Sequence, residues 1–305
     1  MQKYLYSCAI FLLPFLVYFI IANIIDPYNY HNVSYSSDSP EKKIAKLIEP
    51  HLFKLIEYKN SPKKNIMLGD SRSNTLYSQL NSELWANLSF GGSSLEEIIQ
   101  TFWWTTEMCE LDSVLLGVNF NLYNKFNSRF WIKESLNRMD NPISYAFNVY
   151  TGKSIILYAK SAISKSNLNS NSHRMSKNEF WAYQLSQTAK KYYFQYAYPE
   201  RYFIELEHIS EYCAKNDIKL IFWVPPTHSE LQNKIEEFDL VDENEMFIEN
   251  LKHFGIVFNY DYKSSLTNNS SNFTDPYHYS KEVARTIYSD IFGNHLSPYV
   301  RVYTP

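Results

Sequence analysis

Short apolar runs, each cut off by a turn, alternate with longer helical patterns along most of this chain and restrict it to one class of fold. Asn65-Ile66-Met67-Leu68, 84–90, 113–118, 219–224 and 256–258 are short and nearly free of polar residues, the pattern of strands covered on both faces. Helical spacing recurs at about 74–82, 93–108, 200–216, 242–253 and 279–292. Alternation of this kind predicts an α/β fold around a parallel sheet. Residues 124–198, between the third and fourth strands, are too long for a simple crossover and carry helical patterns at 154–164 and 179–196. They are expected to form a helical insertion. Its aromatic series, Phe180, Trp181, Tyr183, Tyr192, Tyr193, Phe194 and Tyr196, is expected to pack into the insertion's own core, with a lid, a sugar platform or a membrane-resting surface as alternatives. The polar stretch SKSNLNSNSHRMSKN between the two helical patterns reads as a loop.

The N-terminus imposes a second constraint. Tyr4–Ile25 carries no charge, and as a helix it reaches about 33 Å, enough for a bilayer core. No small-residue cleavage pattern follows it, so an uncleaved transmembrane anchor is expected rather than a signal peptide. Lys3 precedes the segment, Asp26 follows it, and the next lysines are Lys42 and Lys43; the bias favours a cytoplasmic N-terminus and an extracytoplasmic main domain, periplasmic or at the cell surface. The expected division is 1–26 anchor, 27–40 polar tether and 41–305 α/β domain. Glu41–Tyr58 has apolar residues at helical spacing, with Pro50 placed to bend or split it.

The net charge of -3, from 29 basic and 32 acidic residues, leaves no basic field of the kind that a phosphate backbone attracts, so nucleic acid is not an expected partner. Of the cysteines, Cys8 lies in the apolar segment. Cys109 and Cys213 either pair in an exported domain or remain free thiols.

Chemistry concentrates where the strands end, since loops at the carboxyl ends of parallel strands line the ligand crevice. These ends carry Gly69-Asp70-Ser71, then Asn87-Leu88-Ser89-Phe90-Gly91-Gly92-Ser93-Ser94, then Gly117-Val118-Asn119. The chain has only seven glycines, and Gly69, Gly91, Gly92 and Gly117 all fall here, where the backbone must turn tightly or approach a ligand. Late in the chain, NFTDPYHYS sets Asp275 three residues before His278. That spacing lets a carboxylate orient an imidazole whose other nitrogen faces outward, the base half of a nucleophilic triad with Ser71 as nucleophile. Standing alone, Ser71 would read as a helix N-cap, Asn119 as a cap of the next segment and Asp275 as a turn residue before Pro276.

GDS, a glycine-rich turn, G-x-N and D-x-x-H, in that order, resemble the SGNH (GDSL-type) hydrolase and acyltransferase superfamily over about 65–292, outside the insertion. The resemblance implies a flavodoxin-like three-layer α/β/α fold. It implies Ser71 as nucleophile and backbone oxyanion donor, Gly92 or else Gly91 as a second backbone donor, and Asn119 as side-chain donor. His278 would be the base and Asp275 its orienter. With the anchor and insertion, the chain looks similar to the membrane-tethered branches that serve O-acylation of surface polysaccharides. It departs from the pattern twice: the first block runs GDSRS, and Phe120-Asn121 follow Asn119 where an Asp is usual.

The expected function is serine-dependent hydrolysis or transfer of an O-acyl group, acetyl foremost, on an extracytoplasmic glycan; transfer would draw on a donor from a membrane acyltransferase. The rival reading, drawn from the two departures and the insertion, is a catalytically inactive glycan-binding or assembly protein. Arg72 is open to contact with an anionic substrate or to a salt bridge, and His228, after Pro225-Pro226-Thr227, to substrate contact or a surface turn. Asp70 is expected to fix the turn around Ser71. No zinc-type spacing or phosphate-cradling loop occurs, so no metal or other cofactor is expected.

Overall fold

A computed structural model describes residues 2–33, 39–164 and 175–304. In chain order the elements are α1 (Gln2–Ile25), α2 (Pro40–Ile48), α3 (Pro50–Asn60), β1 (Asn65–Gly69), α4 (Ser71–Tyr77), β2 (Trp85–Ser89), α5 (Leu95–Thr106), β3 (Ser113–Gly117), α6 (Trp131–Arg138), α7 (Pro142–Ala146) and α8 (Val149–Ser164). They continue with α9 (Lys177–Tyr183), α10 (Ala189–Tyr193), α11 (Glu200–Lys215), β4 (Lys219–Val224), α12 (Ser229–Glu237), α13 (Val241–Phe254), β5 (Ile256–Asn259), β6 (Phe273–Asp275), β7 (His278–Tyr279), α14 (Lys281–Phe292) and β8 (Arg301–Tyr303).

The described residues form two units, 2–61 with 131–164, and 62–130 with 175–304. The larger unit is α/β. Its sheet runs β2-β1-β3-β4-β5-β8, with every pairing parallel except β5 with β8. Ile66, Met67 and Leu68 are all fully buried, so the strand is covered on both faces, as an apolar run without alternation requires. Met67, Leu115 and Trp223 pack with Leu76 of α4 and with Val283, Ala284 and Ile287 of α14 on one face. On the other, α5 packs on β1, α11 on β4 and α13 on β5, where Phe222 meets Phe254 at 6.3 Å between ring centres. Fully burying side chains of this size stabilises the unit by about 1.5–3 kcal/mol each.

The strand order reverses between β1 and β3, which lie side by side with Leu68 opposite Leu116. A crevice opens beyond the carboxyl ends of the strands at such a point. The 2-1-3-4-5 order is that of a doubly wound sheet; β8 adds an antiparallel edge too short to register as a strand in the sequence.

The smaller unit is helical. Pro50 splits the expected 41–58 helix into α2 and α3 by occupying the first position of α3, where its missing N–H costs nothing. Asp26, at φ 40°, closes α1: its carboxylate accepts from the Tyr30 and His31 amides at 2.7 and 3.0 Å and from the Tyr145 hydroxyl at 2.6 Å. Tyr18 donates to the Ala146 carbonyl at 2.8 Å. Along α1, Ile10, Phe11, Leu12, Leu13, Phe15, Leu16 and Val17 are exposed.

α1 runs the length of the expected anchor, yet among the described residues no helix is long and apolar enough to cross a membrane. The side chains of residues 5 and 7–9 lie outside the described set. Two boundaries differ from expectation. Residues 41–61 group with 131–164 rather than with the α/β unit, and the expected 124–198 insertion is divided, since α9 and α10 belong to the α/β unit. Helical periodicity identifies a buried face but not which surface it buries against. Of the expected tether, 34–38 lie outside the described residues, as do 165–174 of the expected loop.

Cys109 and Cys213 are not bridged. Cys213 is buried, which pushes its thiol up to about 12. Mass-tagging of thiols in the denatured chain is therefore expected to give the same count with and without prior reduction. In the native chain Cys213 should react only as the α/β unit unfolds. A lower count without reductant would show a bridge.

Candidate active site

Three strand ends and one hairpin build the site. β1 must end in glycine: at Gly69, φ +150°, a β-carbon would fall 2.2 Å from Ser73 Oγ. Asp70 is then the N-cap of α4, its Oδ1 accepting from the Arg72 amide at 2.9 Å, and Ser71 is the first helical residue. So Ser71 is not the cap; the residue before it is.

The second strand end is tied back to the first. The Phe90 amide and Ser93 Oγ both bond the Gly69 carbonyl, at 3.0 and 3.1 Å. Between them Gly92 takes φ +72°, a conformation that costs other residues. Ser94 and Glu97 form a reciprocal capping box that starts α5. The third strand end carries Asn119, 1 % exposed. It precedes a 3-10 turn, Phe120–Leu122, without capping it. Neither Asn119 Nδ2 nor Oδ1 has a hydrogen-bond partner among the described residues. An enclosed amide in that state is costly unless something else satisfies it.

The fourth piece is the β6–β7 hairpin, which pairs Asp275 with His278. Asp275 Oδ1 accepts from the Tyr277 and His278 amides at 2.9 and 3.2 Å. Its carboxylate also faces His278 Nδ1, at 2.8 Å from Oδ2 and 3.0 Å from Oδ1. A carboxylate with both oxygens at Nδ1 holds the ring proton there and leaves Nε2 as the acceptor. Nε2 lies 2.7 Å from Ser71 Oγ. The chain Asp275, His278, Ser71 is thus continuous, with the imidazole partly open to solvent and the carboxylate buried. Such an arrangement can withdraw the serine proton as the oxygen attacks an electrophile.

Of the two expected substrate contacts, Arg72 is turned into the interior, while His228, also buried, borders a groove. Arg72 is 2 % exposed. Its Nε is 3.2 and 3.0 Å from the two Asp70 oxygens, and Nη2 donates to Asp70 Oδ2 at 2.6 Å and to Asn121 Oδ1 at 2.9 Å. Burial works against its charge, but the adjoining Asp70 carboxylate outweighs burial and holds the guanidinium above its ordinary value. Of its two readings, the salt bridge is the one found. His228 is buried rather than in a surface turn. It caps α12, Nδ1 accepting from the Glu230 amide at 3.3 Å, and its ring meets Trp181 and Phe273. Its own amide donates to the Pro276 carbonyl of the hairpin at 2.9 Å.

The aromatic series 180–196 does not form a separate core. Tyr193 and Tyr196 lie against Phe120, with ring centres 5.9 and 5.0 Å away, and Tyr192 lies against Tyr277 at 6.3 Å. Three residues of the site escaped the sequence reading: Asn121, Tyr277 and Tyr279. The last two flank His278, and Tyr279, 1 % exposed, donates to the Arg72 carbonyl at 2.6 Å. Their adjacency to His278 was the available signal.

No family model matches this chain, and no curated protein matches it. Among solved structures it is similar to a protein from Streptococcus pneumonia provisionally described as a platelet activating factor, at 10 % identity and a TM-score of 0.35, over 82 % of this chain and 92 % of that one. A likeness at that score carries no argument about activity.

Burial between aromatic rings holds the His228 imidazole below its ordinary value, against the pull of Glu230. The unfolded chain therefore takes up a proton near its usual pKa of about 6.5 that the folded chain resists. The stability involved is present above that pH and lost as pH falls through it. His228→Asn, which keeps a capping acceptor, is expected to flatten the decline in unfolding free energy between about pH 7 and pH 5. Urea titrations at the two pH values read this, and an unchanged decline would contradict it.

Proposed function

We propose that this protein is a serine-dependent esterase or O-acyltransferase of SGNH type, acting on an acyl ester, in the simplest case acetyl, of an extracytoplasmic glycan. The observation that carries the reading is the 2.7 Å approach of Ser71 Oγ to His278 Nε2, with Asp275 behind the ring. His278 accepts the Ser71 proton while Oγ adds to the ester carbonyl carbon. The resulting oxyanion is held by the Ser71 and Gly92 amides and by Asn119 Nδ2, whose lack of a protein partner suits that task. Collapse expels the alcohol, which takes the proton from His278 Nε2. The oxygen of water or of a sugar hydroxyl then adds to the acyl carbon as His278 takes its proton, and collapse frees Ser71 Oγ, which takes that proton back from His278. The flavodoxin-like strand order supports the same assignment, since it sets Ser71 and Asn119 just beyond the carboxyl ends of the neighbouring strands β1 and β3, at the switch point.

Support for a glycan comes from a groove of about 670 Å³ that adjoins the hairpin and is lined by Lys177, Asn178, Trp181, His228, Glu230 and Asn268. One indole, two amides, a carboxylate, an ammonium and an imidazole offer the stacking face and the donors and acceptors that a polyhydroxylated ligand uses. The uncharged Tyr4–Ile25 segment, helical throughout and with most of its described side chains exposed, supports an N-terminal anchor that leaves the catalytic unit outside the cytoplasm. A membrane acyltransferase is the donor that a transfer reaction would need.

Ser71→Ala is expected to abolish covalent labelling by a fluorophosphonate probe and hydrolysis of an acetyl ester. Asn119→Ala should retain labelling but lower kcat by about 10²–10³-fold, the effect of losing one oxyanion donor. Equal labelling of wild type and Ser71→Ala would end the reading. For the anchor, the full chain is expected to stay with membranes through alkaline carbonate extraction, and release into the supernatant would refute it.

A further inference from the structure

One buried residue, through its side chain and its main-chain carbonyl, touches every segment that carries the triad. Arg72 follows Ser71, and its guanidinium is doubly bonded to Asp70, which precedes Ser71. The serine is thereby pinned on both flanks. Nη2 reaches on to Asn121 Oδ1 at 2.9 Å, two residues beyond Asn119. The Arg72 carbonyl accepts from Tyr279, the residue after His278, at 2.6 Å, and its guanidinium lies 5.9 Å from the ring of Tyr277, the residue before it.

A buried ion pair stabilises little more than a well-packed apolar pair of the same volume. What Arg72 adds is direction: a planar fork that engages one carboxylate through two nitrogens and still has a donor for a second loop. Lysine lacks that geometry. Asn121 can serve as the acceptor because its own backbone is fixed, its carbonyl accepting from Asn127 Nδ2 at 2.8 Å.

We infer that Arg72 is a positioning residue, which through Asp70, Asn121 and Tyr279 sets Ser71 in register with both Asn119 and His278. It touches no substrate. The inference rests on the reading of Ser71 as nucleophile and deepens it, by assigning a purpose to the residue that most departs from the resembled motif.

The test uses the full chain and measures the second-order rate of fluorophosphonate labelling at Ser71 together with the melting temperature. Asn121→Ala removes only the link to the third loop and leaves the Asp70 pair intact. It is expected to melt within a few degrees of wild type and to label about ten- to a hundredfold more slowly, as small misplacements of reacting groups do. Arg72→Lys should be slowed at least as much. The double variant Asp70→Asn with Arg72→Met, which buries no unpaired charge, should recover melting temperature without recovering the labelling rate. Wild-type rates in a folded Asn121→Ala or in the folded double variant would overturn the positioning role. Absence of label in wild type would instead overturn the nucleophile reading.

Discussion

The parallel pairing of β1 with β3 is the constraint on which the rest of the α/β unit depends. It places the ends of two non-consecutive strands side by side, with the chain passing from β1 to β2 on one side and from β3 to β4 on the other. Close approach of the two strand ends explains two glycines. A β-carbon at Gly69 would strike Ser73 Oγ, and one at Gly117 would come within 2.5 Å of that same atom and 2.9 Å of Trp223 Nε1. Gly92 is required by its positive φ. Gly91 would meet nothing within 4 Å if it carried a β-carbon. Its neighbour is therefore the one whose glycine is demanded by the backbone.

Two buried carboxylates stand on either side of Ser71, and the structure keeps their duties apart. Asp70 is neutralised by Arg72 and by a helix N-terminus; Asp275 is met by two backbone amides and by His278. Asp275, given an imidazole instead of a guanidinium, faces a group that can gain and lose charge during a reaction. A third acid, Asp261, is pushed above its ordinary value by burial despite donors from Thr227 and Gln232.

The strands and the four blocks were legible in the sequence because each rests on local pattern. Short, largely apolar runs mark β1 to β5, with Asn87 and Ser89 interrupting only the second, and scarce glycines mark the turns after three of them. Asp275 and His278 could be paired because three residues of spacing is a local fact. What lay outside the sequence were choices made by distant surfaces. Whether Arg72 faces the crevice or the interior depends on Asn121 and Tyr279, and whether His228 is a turn residue depends on Trp181 and Phe273. The 41–61 helices show an apolar face but nothing about its partner, so their grouping with 131–164 could not be read. α12 was hidden by the Pro225-Pro226 that precedes it, which reads as a loop until His228 is seen to cap a helix.

The two departures from the resembled motif can be understood as one exchange. Phe120 occupies the position where an acidic residue is usual, and its ring is buried against Tyr193, Tyr196 and Phe247. A carboxylate could not be placed among those rings without a large desolvation cost. The polar link from this loop is carried one residue later, by Asn121, and its partner is the arginine that follows Ser71. A loop that packs Phe120 into an aromatic wall must be tied to the serine turn by some other side chain, and an arginine there needs a neutral acceptor, since its charge is already matched by Asp70. Read separately, Arg72 and Phe120 weaken the likeness to a catalytic motif. In the structure, Arg72 and the residue after Phe120 form one hydrogen-bonded connection between the first and third strand ends.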